Sequence, residues 1–297
     1  MKPFFELIRR NLKVFFNDKG MFISSLITPI ILLVLYATFL ANVYKESFLS
    51  ALPEGLNIDP KLINATVTGQ LIASLLAVSC VTVSFCANLL MITDKANGTI
   101  NDLTVSPIKK PLISLSYYFA SSFSTLIITF TATAVCLVYL ATQGWYLSGL
   151  DIVSLIVNVF LLTLFGTAFS SCLHFFLKTN GQASAVGTIV SAGYGFICGA
   201  YMPISSFSEG LQKVLSFLPG TYGTALIKNT MLRGVFEEMA KLGFPSEVIS
   251  GINSSIDCNL SFFGHDVSIF AMYMILIASV VILTVIFVLF TLSRKTK

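Results

Sequence analysis

Val67–Ile92, VTGQLIASLLAVSCVTVSFCANLLMI, runs for 26 residues without an acidic or basic side chain. A helix of about 20 mainly apolar residues crosses the hydrocarbon of a bilayer, where only a helix or a closed barrel satisfies the backbone polar groups. The stretch lacks the alternation of a barrel strand and reads as a membrane-spanning helix. Five further stretches have the same character: Met21–Val43, Leu112–Ala141, Ile152–Leu177, Ala183–Ala200 and Val267–Leu292. Composition agrees, with 55% hydrophobic and 11% charged residues and a mean hydropathy of +0.86, against about 25% charge in soluble domains. The expectation is an all-α integral membrane protein: an amino-terminal segment over residues 1–20, then one domain of six transmembrane helices over 21–297. Too few residues lie between the spans for a second globular domain. A cleavable leader is not expected, because the first apolar run begins only after a charged, patterned segment.

Six spans put both termini on one side, and lysine and arginine decide which. Lys2, Arg9, Arg10, Lys13, Lys19, Lys95, Lys109, Lys110, Lys178, Arg294, Lys295 and Lys297 fall together with four acidic residues, a net of +8. The opposite side holds Lys45, Lys61, Lys213, Lys228, Arg233 and Lys241 with ten acidic residues, a net of −4. Both termini are therefore predicted to be cytoplasmic. The overall charge of +4 is a topology signal, and no basic stripe interleaved with aromatics points to nucleic acid. Cys80, Cys86, Cys136, Cys172 and Cys198 fall in spans as small apolar residues, Cys258 lies alone outside, and no spacing resembles a metal site.

Four segments carry further information. In Pro3–Asn17, helical spacing gathers Phe4, Phe5, Leu7, Ile8, Leu12, Val14, Phe15 and Phe16 on one side and Glu6, Arg9, Arg10, Lys13 and Asn17 on the other. This predicts an interfacial helix with its basic residues toward lipid phosphates and water, either anchoring the first span or helping to dock a partner. In the cytoplasmic loop 93–110, TDKANGTINDLTVSPIKK, Gly98 permits a sharp turn. A short helix Thr99–Val105 follows, and Ser106-Pro107 ends it. Ile100 and Leu103 share a face, so this is either a connector or a helix whose exposed apolar edge enters a groove on another protein.

After the fifth span, Ser206-Phe-Ser-Glu209 has the form of a capping box. A helix to Phe217, a break at Pro219-Gly220 and a second helix Thr221–Leu232 stopped by Gly234 would make a re-entrant hairpin in the outer leaflet. That hairpin is a candidate gate or a static cap. The remaining external residues to 266 suggest only short helices, around Phe236–Leu242 and Ser246–Ile252. In the fifth span, Gly187, Ser191, Gly195 and Gly199 recur every four residues, a ridge for close helix packing within or between subunits.

Ionisable groups inside the spans are nearly absent, His174 being the exception, so an ion-coupled mechanism has little to work with. No G-x-S-x-G elbow is present and the two histidines, His174 and His265, fall on opposite sides. No G-x-x-x-x-G-K-[ST] occurs, so ATP-driven work needs a separate polypeptide.

The order of these features resembles the type 2 ABC-transporter permeases, the membrane subunits of ATP-driven bacterial exporters. The resemblance rests on an amphipathic helix before the first of six spans, a short coupling helix between spans two and three, and re-entrant helices before the last. The coupling loop supplies Asp94, Lys95, Gly98, Thr99, Leu103, Ser106 and Pro107, with Asp94 where the family places a glutamate. The re-entrant turn supplies Pro219 and Tyr222 beside Gly220. The resemblance implies a location in the inner (plasma) membrane and a dimer with a second copy or a similar permease. It also implies two bound ATPase subunits, with ATP and Mg on those subunits and no cofactor or metal in this chain.

The residues themselves point to Ile100, Leu103 and Val105 as the coupling contact, with Arg9, Arg10 and Lys13 in support. An amphipathic or lipid-like cargo suits spans rich in phenylalanine and free of charge. An ATP-independent carrier or channel, a membrane scaffold and a membrane enzyme are the alternatives. Leu103→Asp is expected to uncouple ATP hydrolysis from transport while the spans stay folded; normal export with retained substrate-stimulated hydrolysis would count against the coupling assignment.

Overall fold

The computed structural model describes residues 2–42, 45–46 and 59–293. Val43, at the end of the first expected span, and the basic residues Arg294, Lys295 and Lys297 lie outside them. The elements in chain order are α1 (Lys2–Asn17), α2 (Lys19–Leu35, extended by a π-helical turn Tyr36–Leu40), α3 (Pro60–Ala96) and α4 (Thr99–Val105). There follow α5 (Lys110–Gln143), α6 (Gly149–Phe176), α7 (Asn180–Ile197), α8 (Glu209–Leu215), α9 (Pro219–Lys241) and α10 (Ser246–Ser255). A small hairpin of β1 (Ser261–Phe262) and β2 (His265–Asp266) precedes α11 (Ile269–Ser293).

Four of these helices, α3, α5, α6 and α11, are long and apolar enough to cross a membrane. The pair α1 and α2, bent by 72° at their junction, makes a fifth if taken as one span. The bend is local chemistry: Asp18 accepts a hydrogen bond from the Met21 amide at 3.1 Å and caps α2. The stretch expected as the fifth span is α7, whose glycines, serines and alanines make it less apolar than the other four. It stops at Ile197 rather than Ala200, because Gly199 turns into the left-handed region at φ 72°.

The quoted stretch forms the middle of α3, the axis of the molecule, enclosed by α2, α5, α6, α7 and α9. Asp59 caps α3 by accepting from the Lys61 amide at 2.9 Å, and Pro60 opens it at a position that needs no amide donor. The tightest seam is with α6, where a Cβ on Gly166 would lie 2.8 Å from the Cys80 carbonyl oxygen. Polar side chains close the seam: Ser84 Oγ and Thr167 Oγ1 are 3.2 Å apart, Asn88 donates to Ser170, and Ser171 donates to Asn88 Oδ1 at 3.3 Å.

The region after α7 departs from the expected boundaries. Ser206 belongs to a short 3-10 turn and makes no capping box; α8 starts after Ser208, which makes no side-chain capping bond. Pro219 and Gly220 form the first turn of α9 rather than lying before it. Gly234 does not end α9. Its missing side chain admits the Tyr146 carbonyl oxygen, 1.8 Å from where a Cβ would sit. Gly243, at φ 82°, provides the left-handed stop after Lys241.

The path of α9 runs antiparallel to α6. A Cβ on Gly223 would lie 2.6 Å from Leu162 Cδ1, near the middle of α6, while Arg233 bonds Asp151 in the first turn of α6. Thirteen residues of helix separate Gly149 from Leu162, about 20 Å at 1.5 Å per residue.

Gly166→Ala tests the central seam. The added methyl must push α3 and α6 apart, and a loss of about 2 kcal/mol is expected, read as a lower midpoint in detergent-based unfolding.

Candidate functional site

The carboxy-terminal end of α3 carries the densest polar cluster near the expected coupling loop. Asp94, in the last turn of α3, is 6% exposed. Arg10 on α1 forms a salt bridge to its Oδ2 and reaches Oδ1 from Nη2 at 3.4 Å. The Tyr117 hydroxyl on α5 donates to Asp94 Oδ2 at 2.5 Å. Arg10 Nη1 also donates to Asn11 Oδ1 at 2.9 Å, and Asn11 Nδ2 to Ser116 Oγ at 3.2 Å. Three helices thus meet on one carboxylate.

This placement corrects one expectation. Arg10 was read onto the outward polar face of the amphipathic helix, but it turns inward because a buried carboxylate requires a cationic partner. Arg9, paired with Glu6 at 3.9 Å, and Lys13 remain on the exposed side. Asn11 was not singled out. The signal was available, since Asn11 lies four residues from both Leu7 and Phe15 and interrupts the apolar stripe with a polar group.

Lys95, the next residue, points to the other side of α3. Its Nζ donates to the carbonyls of His174, Phe175 and Leu177, each at 3.2 Å, at the carboxy-terminal end of α6 where a cation is favoured; the His174 carbonyl also accepts from the Leu177 amide at 3.2 Å. The last turn of α3 is therefore clamped to α1 and α5 by Asp94 and to α6 by Lys95. From this turn hangs α4. Gly98 adopts φ 80°, a conformation costly for any residue with a Cβ, and Ser106 is extended before Pro107.

The apolar edge of α4 is split. Ile100 and Leu103, expected to project into the cytoplasm, pack inward on a cluster that includes Leu7, Phe15, Ile92 and Tyr117. The membrane domain offers them a larger apolar surface than water does. Val105 is 88% exposed, and Asn101 and Asp102 are also exposed. These three residues form the outward face.

The remaining candidates lie elsewhere. Gly187 and Ser191 line an open groove of about 490 Å³ with Phe85, Cys86 and Leu89 of α3. The ridge does not continue as one face: Gly195 accommodates the Tyr201 ring, and Gly199 lies beyond the end of α7. At the outer hairpin, Gly220 leaves room for the Tyr194 hydroxyl, and Tyr222 donates its hydroxyl to the Ser216 carbonyl at 2.5 Å, tying α9 to the end of α8.

Lys228, counted among the outer-side charges on the expected second helix of the hairpin, is 2% exposed. Its Nζ donates to the Gly199 and Ile256 carbonyls, each at 2.7 Å. Its flanking run of Ala225, Leu226, Ile227, Met231 and Leu232 was the available sign of burial. Asp151, with Ser148, forms the capping box of α6, and its hydrogen bond holds the Arg233 guanidinium above its ordinary pKa. Among the described residues, no group of three or more His, Cys, Asp or Glu side chains could hold a metal ion.

An all-α molecule with several bilayer-length helices and a short helix hung beneath them defines a multi-pass membrane protein. The family model for ABC-2 type transporters matches residues 2–232, and the chain belongs to that family, the type 2 ABC-transporter permeases. The match takes in α1, the coupling loop and α9 as far as Leu232. No match was found among curated proteins.

The Arg10–Asp94 bond can be measured directly. Arg10→Met leaves a buried carboxylate with a tyrosine alone and is expected to cost about 2 kcal/mol, part of which Asp94→Asn should restore in the double variant. Additive losses in that cycle would show that the pair carries no coupling.

Proposed function

We propose that this chain is the permease subunit of an ATP-driven exporter in the inner (plasma) membrane. α2 and α7 complete six crossings with α3, α5, α6 and α11, and both termini are cytoplasmic. The charge asymmetry of the loops supports this orientation. In this reading α1 lies in the cytoplasmic headgroup layer in contact with membrane lipids, and α8 and the first half of α9 form a re-entrant hairpin. The contact of Gly223 with the middle of α6 supports that hairpin.

The observation that carries the reading is the suspension of α4 from a clamped turn of α3, with Val105, Asn101 and Asp102 directed outward. A separate ATPase, present in two copies and holding ATP and Mg, would press on this face as its subunits close. Because Ile100 and Leu103 seat α4 on the membrane domain, the push passes to that domain. Asp94 shares it with α1 through Arg10 and with α5 through Tyr117. Lys95 shares it with α6. A second copy or a similar permease completes the pathway, and an amphipathic or lipid-like cargo suits walls made of apolar and hydroxyl side chains.

Gentle solubilisation should yield two copies of this chain with two of an ATPase, read by native mass. A bare dimer or monomer, reproducible in mild detergent, would overturn the reading. Val105→Asp changes the outward face and leaves the seat of α4 intact. It is expected to lower export and substrate-stimulated hydrolysis about tenfold, the effect of losing one central contact of an interface.

A further inference from the structure

At the outer end of the molecule, α6, α9 and α11 converge beneath α10 on a cavity of about 710 Å³, within the size range of small-molecule sites. One stripe of α9, Leu226, Thr230, Arg233 and Glu237, forms a wall, with Ser154 of α6 and Tyr273 of α11 opposite. Neither the coupling surface nor the re-entrant turn uses these residues.

The charged side chains of the lining are Asp151, Arg233 and Glu237, which leaves an excess of one negative charge. Arg233 is engaged within the protein: its Nε donates to Asp151 Oδ1 at 2.6 Å and its Nη2 to Ser148 Oγ at 2.9 Å. Glu237 is the incompletely neutralised group. Its contact with Arg233 is 3.4 Å long, and its side chain is 56% exposed.

Behind that wall, Asn158 lies one turn below Ser154 on the same face of α6. It donates to the Leu226 carbonyl at 3.1 Å and to Thr230 Oγ1 at 2.9 Å, which fixes the inner part of the α9 stripe against α6.

The sides of the mouth are apolar. Leu150 of α6 and Ile269 of α11 line the cavity while 74% and 52% exposed, and the adjacent Phe270 is 74% exposed. On two helices of membrane-crossing length, such side chains belong in lipid, so the cavity opens toward the outer leaflet.

We propose that this cavity binds an amphiphile with an ammonium headgroup, the head held at Glu237 and the apolar tail leaving between Leu150 and Ile269. Two sources share this chemistry, an aminophospholipid of the bilayer and a free amphipathic amine. The site does not depend on the direction of transport.

The test uses the intact transporter, with whatever ATPase co-purifies, in nanodiscs of equal phosphatidylethanolamine and phosphatidylglycerol. Native mass spectrometry then counts retained lipid, with dodecylamine added in a second arm. Retention of phosphatidylethanolamine about fivefold over phosphatidylglycerol, the worth of one partly exposed charge pair, is expected, with displacement by dodecylamine. Glu237→Gln, on the surface and harmless to the fold, should abolish the preference, and Ser154→Trp should fill the cavity and abolish retention. Dodecylamine binding without lipid retention, lost in the same variants, supports the site and assigns it to free amines. Equal retention of the two lipids with no dodecylamine binding, or binding unchanged by Glu237→Gln, overturns the proposal.

Discussion

An ionised carboxylate out of water costs several kcal/mol unless a cation and hydrogen-bond donors surround it, and Asp94 stands in that position at the end of the most enclosed helix. Its partners come from two other helices, Arg10 from α1 and Tyr117 from α5. Satisfying one charge therefore orients three helices. α1 is held with Arg10 inward, so Leu7 and Phe15 fall onto the cluster that also seats Ile100 and Leu103 of α4. The position of α4 follows from the neutralisation of Asp94.

The same constraint operates at the opposite end of the molecule with the charges reversed. Lys228 is surrounded by apolar side chains of α9 and finds its acceptors in backbone carbonyls at Gly199 and Ile256. These lie just beyond α7 and α10, where helix ends leave carbonyls unpaired. Lys95 solves the same problem at the carboxy-terminal end of α6. In a chain with few charges, the buried ones mark where helices are joined. The long apolar faces between them contribute close contact, as at Gly166 and Gly223, where the absence of a side chain sets the distance of approach.

A permease has to combine rigid seams with parts that move. The α3–α6 seam, closed by Gly166, Ser84 and Asn88, is of the rigid kind. By contrast α7 meets chiefly α3 and leaves Gly187 and Ser191 beside an open groove, so its packing inside one chain is incomplete. Between these extremes lies α9, wedged against α3 and α6 by small residues and pinned to the first turn of α6 by the Asp151–Arg233 pair.

The sequence by itself determined the helices and several of their ends. Length and apolarity suffice for α3, α5, α6 and α11 because the bilayer admits few alternatives, and the limits of α4 are local, a left-handed Gly98 and a residue before Pro107. Where local chemistry was ambiguous the reading went astray: Ser206 resembled a cap and Gly234 a stop, yet Ser208 and Gly243 hold those places. Only the tertiary structure decided which way side chains face. Helical periodicity divides polar from apolar, but it cannot reveal that a buried Asp94 draws Arg10 inward, that Leu103 has a protein surface to cover while Val105 has none, or that Lys228 has carbonyls within reach. Those outcomes depend on partners 29 and 28 residues away for Lys228, at Gly199 and Ile256, and 84 for Arg10 at Asp94, and the energy of a buried charge exists only once such partners are in place.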